Sequence, residues 1–270
     1  MENIQTIGQL LAEVKEKSPL VHHITNYVTV NDCANIVLAV GGSPVMADDE
    51  AEVAEMTAIA SALVINLGTL NARTVKSMFL AGKKANQLGI PVVLDPVGVG
   101  ATSFRTTTAE KLMQEIHLAV LRGNMSEIKS LAGIATKTRG VDAIDNGVDG
   151  PEIARSLAQR LHCSVAITGV QDIISDGIRT GYIDNGDRLL AKVTGTGCMA
   201  TSLIGCYCGV TRDYYLAASA GIMTMGLAGE KAVANLTPTA GIGSFKVGLF
   251  DAVYNLRPVD LERGGKFNEA

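Results

Sequence analysis

The sequence predicts an α/β fold: a mostly parallel central sheet with helices on both faces, and an antiparallel hairpin segment near 172–193. Three observations predict it. Short apolar runs such as Ala62–Asn66 and Val92–Asp95 alternate with segments of helical period, as in a parallel sheet covered on both sides. Glycine, 29 of 270 residues, falls at the ends of those segments. After Gly169 the period shortens, and Asp184-Asn185-Gly186-Asp187 carries a hairpin signal between apolar runs.

In chain order, Ile4, Ile7, Leu10, Leu11 and Val14 mark a helical face that Ser18-Pro19 ends. Leu20–Ile24 is a strand leading into Asn26. A helix follows from Asn31-Asp32-Cys33 to Gly41-Gly42, then a strand at Ser43–Ala47. Asp48-Asp49-Glu50 opens another helix, because acids suit the positive N-terminal end. Residues 62–66, 91–96, 118–121 and 164–168 read as strands, with helices at 71–88, 107–116, 126–131 and 151–161 between and beside them. Residues 132–150 are polar, with one helical turn at most. Asp172–Ser175, Arg179–Ile183 and Arg188–Val193 read as antiparallel strands. The rest is helical, at 198–209, 213–235 and 244–255, before a polar tail over 260–270 expected to fray. No repeat or linker divides the chain, so one domain over 1–270 is expected.

Composition narrows the function. There is no Trp, aromatics are 4%, net charge is −4, and no basic run occurs, so a nucleic-acid partner is not expected. The cysteines, at 33, 163, 198, 206 and 208, are odd in number and lack zinc spacing, which reads as free thiols in a reducing compartment. Met1–Lys17 is charged and helical in period, unlike a secretory leader, and no apolar run reaches membrane-span length. A cytoplasmic protein without membrane attachment is the expectation.

Chemistry collects where the strands end. Val193-Thr194-Gly195-Thr196-Gly197-Cys198 reads as a strand end, a glycine turn and a helix start. Bare N–H groups and the helix dipole make such a turn an anion cup. Cys198 at its centre is open to three readings: a nucleophile, a proton acceptor, or a small packed residue. The dipole is expected to favour its thiolate. Asp95 ends a strand before a glycine loop, while Asn124 and Glu127 stand three apart at a helix start. The two carboxylates can hold a hydrated magnesium ion against phosphate, or else simply cap the elements that follow them. His22, His23, Cys206 and Cys208 read as packing residues, and no Walker A sequence occurs.

LDPVGVGAT at 94–102, RGNMSEI at 122–128, AITG at 166–169 and VTGTGCMATS at 193–202 resemble the ribokinase superfamily. SPLVHHITN at 18–26 and GGSPVMA at 41–47 narrow the resemblance to the hydroxyethylthiazole kinases of thiamine salvage. It runs from about Ser18 to Val253 in the right order. The resemblance implies a ribokinase-like domain that phosphorylates the primary hydroxyl of 4-methyl-5-(2-hydroxyethyl)thiazole with ATP, as a homotrimer with sites at subunit boundaries. It places Asn26, Met46, Gly68 and Gly195 on the thiazole. Arg122, Asn124, Thr168, Thr196 and Gly197 go to ATP and its phosphates, Asp95 and Glu127 to magnesium, and Cys198 to the catalytic step. The wider superfamily usually carries Asp where this chain has Cys198, so a strong base is not implied. A hydroxymethylpyrimidine kinase, a transferase using Cys198 covalently and a non-catalytic nucleotide-binding regulator are the alternatives.

Overall fold

The computed structural model describes residues 2–134 and 149–270; most of the 132–150 stretch, with its expected turn, lies outside them. The chain opens with α1 (Glu2–Lys17), β1 (Leu20–Ile24), α2 (Val30–Val40), β2 (Ser43–Val45) and α3 (Val53–Ala58). A strand–helix alternation follows: β3 (Ala62–Asn66), α4 (Ala72–Leu88), β4 (Val92–Asp95), α5 (Ser103–Glu115), β5 (Val120–Asn124), α6 (Met125–Leu131), α7 (Gly150–Leu161) and β6 (Ser164–Thr168). Then come β7 (Asp172–Ser175), β8 (Thr180–Ile183), α8 (Thr196–Cys208), α9 (Tyr214–Ala234), α10 (Ile242–Asn255), α11 (Pro258–Gly264) and β9 (Phe267–Glu269).

The described strands form a single sheet in the order β2-β1-β3-β4-β5-β6-β7-β8-β9. From β2 to β6 every pairing is parallel, and from β6 to β9 every pairing is antiparallel. Side chains alternate between the faces, so each strand feeds two cores. Val21, Val64, Val93, Val120 and Ala166 pack beneath α1, α2, α8, α9 and α10. Ile24, Leu63, Ile65, Leu94, Leu121 and Val165 pack against α4, α5 and α7 on the other face. Burial on both faces explains why β3 and β4 read as unbroken apolar runs.

Local signals place the helix ends. Asn71 accepts the Thr74 N–H at 3.1 Å and Thr74 returns a bond, starting α4 with a capping box. Gly89 closes α4 in the left-handed conformation at φ +67°.

Three expectations are corrected. Arg188–Lys192 is a short 3-10 helix, not a strand, because the Asp187 side chain accepts the Leu189 N–H at 2.8 Å and caps it. The hairpin is therefore β7–β8, closed by residues 176–179. Asn185 does not turn a hairpin: its Nδ2 donates to Gly264 O at 2.9 Å and its Oδ1 accepts from Lys266 N at 2.7 Å. Residues 260–270 are not frayed. They complete α11 and form β9, which pairs with β8 and brings Phe267 against Tyr215, ring centroids 6.2 Å apart. Leu261 is fully buried, and these two apolar side chains hold an otherwise polar segment in place.

Candidate active site

Because β2 to β6 run in one direction, their carboxyl ends form one rim, where parallel sheets bind ligands. Register sets Asn66 of β3 beside Asp95 of β4, and Asn124 of β5 beside Thr168 of β6. Helix α8 packs across β1, β3 and β4, with its first turn over that rim.

Gly195 starts the turn at φ +88°, and a Cβ there would stand 2.6 Å from Thr29 Cγ2. Both facts require glycine. The Thr196, Gly197 and Cys198 amides precede the first hydrogen bond of α8, Met199 N to Gly195 O at 2.8 Å. Arg122 lies against this turn, since a Cβ on Gly197 would meet Arg122 Nη1 at 2.8 Å. Arg122 Nη2 donates to Thr168 Oγ1 at 2.5 Å, and Arg122 Nε is buried without a hydrogen-bond partner among the described residues. A guanidinium fork and bare N–H groups thus share one anion cup.

Asp95 forms the floor and is fully buried. Its Oδ2 accepts from Thr201 Oγ1 at 2.7 Å and Asn66 Nδ2 at 3.0 Å, and lies 3.5 Å from Arg122 Nη1. Asp95 Oδ1 has no hydrogen-bond partner among the described residues. Burial pushes the Asp95 carboxyl above its ordinary pKa, and Arg122 pulls it back. Glu127 is raised too, by burial first and then by Asp95. Its oxygens accept Gly98 N and Asn124 N, each at 2.9 Å. Two desolvated acids with one orphan oxygen suit a cation. Among the described residues no cluster of three or more His, Cys, Asp or Glu can hold a metal by itself. A cation held here would take most of its shell from water or phosphate, as magnesium prefers.

Cys198 is half-buried, and the other four thiols are buried. Its Sγ receives Asn66 Nδ2 at 3.3 Å and Asn26 Nδ2 at 3.4 Å. The expected dipole effect is outweighed: burial, then the nearby Asp95, push the thiol above its ordinary pKa. This opposes a standing thiolate nucleophile.

The structure brings Asn26, Asp95, Arg122, Thr168, Gly195, Gly197 and Cys198 together, and Gly68 joins them through its N–H to Asn66 Oδ1 at 2.8 Å. Other predicted residues are engaged elsewhere. Asn124 caps α6, its Oδ1 accepting Glu127 N at 2.9 Å, and Glu127 completes that capping box. The Thr196 hydroxyl donates to Leu190 O at 2.9 Å, leaving only its amide for an anion. Met46 follows β2, one strand outward from β1, and the next residue, Ala47, accepts His22 Nε2 at 2.7 Å through its carbonyl. His22 and His23 pack, as expected, fully buried in β1.

Asn66 and Thr29 join this group without having been predicted, and Thr201, whose hydroxyl the sequence offers to the site or to a helix cap, gives it to Asp95. Asn66 carries the signal that exposed Asp95, a polar residue ending an apolar strand. Thr29 donates both N–H and hydroxyl to Asn26 Oδ1, at 3.1 and 3.0 Å, which only the folded loop reveals.

An arginine-lined anion cup beside paired carboxylates, on a mainly parallel sheet, defines a small-molecule kinase of the ribokinase-like class. A ribokinase-like superfamily protein from Enterococcus faecalis V583 shares the fold, with TM-score 0.64 and 11% identity over 91% of this chain and 93% of that one. The model of the hydroxyethylthiazole kinase family matches residues 11–258, and the chain belongs to that family. It is 58% identical to the hydroxyethylthiazole kinase of Alkaliphilus oremlandii (strain OhILAs) over the full length of both chains. It also aligns with the hydroxyethylthiazole kinase protein of Pyrococcus horikoshii OT3, with TM-score 0.89 and 39% identity over 98% and 99% of the two chains. The protein is therefore a phosphotransferase.

Proposed function

We propose that this enzyme moves the γ-phosphoryl group of ATP to the primary hydroxyl of 4-methyl-5-(2-hydroxyethyl)thiazole, releasing ADP and the thiazole phosphate for thiamine salvage. The observation that carries this reading is the convergence of Arg122, the first turn of α8 and Cys198 on one cup. Phosphoryl transfer depends mainly on position and charge neutralisation, and these groups supply both. Arg122 and Thr168 hold the nucleotide phosphates, and the Gly195–Cys198 amides receive the transferring group. Asn26, Gly68 and Gly195 border the thiazole, and Met46, one strand outward, is assigned to it by the family resemblance alone. The Asn26 amide is committed to Asn66 and Cys198, so it shapes that subsite more than it bonds the ring.

Magnesium, when bound, neutralises phosphate charge. Asp95, through its free oxygen, and Glu127 would hold it, mostly through water. Cys198 faces the acceptor hydroxyl. In a loose transition state the hydroxyl proton leaves late, so a thiol that orients the hydroxyl and takes the proton late is sufficient. We place the enzyme in the cytoplasm as a homotrimer with sites at subunit boundaries. Exposed Tyr27 and Val28, beside Asn26, support such a boundary. Among the described residues no helix is long and apolar enough to cross a membrane.

A coupled assay for ADP, run with the thiazole alcohol, with hydroxymethylpyrimidine and with no acceptor, tests the reading. ADP release should follow the thiazole alcohol. Equal release with the pyrimidine, or without acceptor, would sink it.

A further inference from the structure

Asn66 is the one polar residue of β3, which otherwise reads Ala-Leu-Val-Ile, and it is 1% exposed. An apolar side chain would fill that place without burying an amide. The amide is fully used. Its Oδ1 accepts from Gly68 N at 2.8 Å and Asn26 Nδ2 at 3.0 Å, which fixes which end is oxygen. Its Nδ2 then donates to Asp95 Oδ2 at 3.0 Å and to Cys198 Sγ at 3.3 Å. Two donors and two acceptors are all that an amide carries.

We propose that Asn66 is a positioning residue for phosphoryl transfer, acting through Cys198 and using Asp95 as its anchor. The geometry explains how. The sulfur receives two N–H groups from the protein side, one from Asn66 and one from Asn26. Those directions are closed to further partners. With the Thr29 side chain also beside the sulfur, few directions remain for the thiol proton, or for the lone pair that would receive a proton, and the acceptor hydroxyl takes one of them. Bonds to sulfur are weak, so a single one would leave the side chain free to change rotamer. Asn66 adds the second. It also ties the sulfur to Asp95, which Thr201 fixes independently at 2.7 Å. The inference rests on the reading of Cys198 as the residue beside the hydroxyl.

The test uses Asn66→Ala and Asn66→Asp, alone and combined with Cys198→Ala. The aspartate keeps the shape and the acceptor oxygen and, set against the Asp95 carboxylate, holds a proton that preserves that bond, but it loses the amide donor to Cys198. We expect each Asn66 variant to lower kcat at least tenfold while KM for ATP stays within threefold. In the Cys198→Ala background the same changes should cost less than a further threefold. Losses that multiply in the double variants would show that Asn66 acts independently of Cys198 and overturn the proposal. So would an Asn66→Asp enzyme with the parental kcat. A Cys198→Ala enzyme with the parental kcat overturns the Cys198 reading itself, and the proposal with it. If Asn66→Ala fails to fold, as judged by calorimetric ATP binding, Asn66→Asp carries the test.

Discussion

Opposing effects meet at Cys198. The helix start and two amide donors favour negative sulfur, whereas burial and Asp95 disfavour it, and the balance raises the thiol above its ordinary pKa. A thiol so placed contributes less than the 10²–10⁴-fold typical of a tuned base. Cys198→Ser should accordingly lower kcat by ~10-fold without abolishing it, and Cys198→Asp should stay active. Steady-state kinetics check both. A folded, substrate-binding Cys198→Asp enzyme with no turnover would count against proton acceptance at this position. Cys198 was legible because a cysteine at a glycine-led helix start is rare chemistry. Asn66 was not, since its importance lies in three partners from distant segments, Asn26, Asp95 and Cys198.

The turn from β6 to β7 carries a buried acid. Asp172 accepts Gly169 N at 3.0 Å, and burial pushes its carboxyl up to about 7. In the unfolded chain it titrates near ~3.9. Between those values the folded state holds the proton and the unfolded state has lost it, so rising pH destabilises the fold through this window and no further above it. Asp172→Asn keeps the acceptor for Gly169 and cannot ionise. Its stability relative to the parent should grow by roughly 2–3 kcal/mol from pH 5 to pH 8. Thermal unfolding at the two pH values measures this as several degrees, and an advantage constant with pH would refute it.

The strand β9 also makes a prediction. Phe267 packs on Tyr215, and the Tyr215 hydroxyl donates to Glu269 Oε1 at 2.8 Å. Phe267→Ala should cost about 2 kcal/mol, the loss of a half-buried ring, and lower Tm. An unchanged Tm would mean that the Phe267 ring adds nothing to the fold. This element escaped the sequence reading because three residues carry too little pattern to announce a strand. Arg188–Lys192 failed for a related reason: its apolar alternation suits a strand, but the edge of β8 is already taken by β9.

For the whole molecule, the sheet divides the apolar residues between two cores, and every site group sits where the parallel strands stop. Residues such as Tyr27, Val28, Leu38 and Ile59 stay exposed on the single chain. A homotrimer should appear by native mass spectrometry as three chains, with activity lost on dilution into monomers. A fully active monomer would remove subunit boundaries from the mechanism.

By itself the sequence determined the alternation of strands and helices, the glycine turn into a helix at Gly195–Cys198 and the carboxylates at or after the strand ends. Each is written in a few adjacent residues whose propensities and chemistry act locally. Tertiary structure alone decided what those groups do to one another. It raised the thiol at Cys198 through burial, brought the Gly98 N–H onto Glu127, and joined Asn66 to Cys198 and Asp95. Desolvation and hydrogen-bond geometry depend on which distant segments close over a side chain, and that is settled only when the sheet assembles.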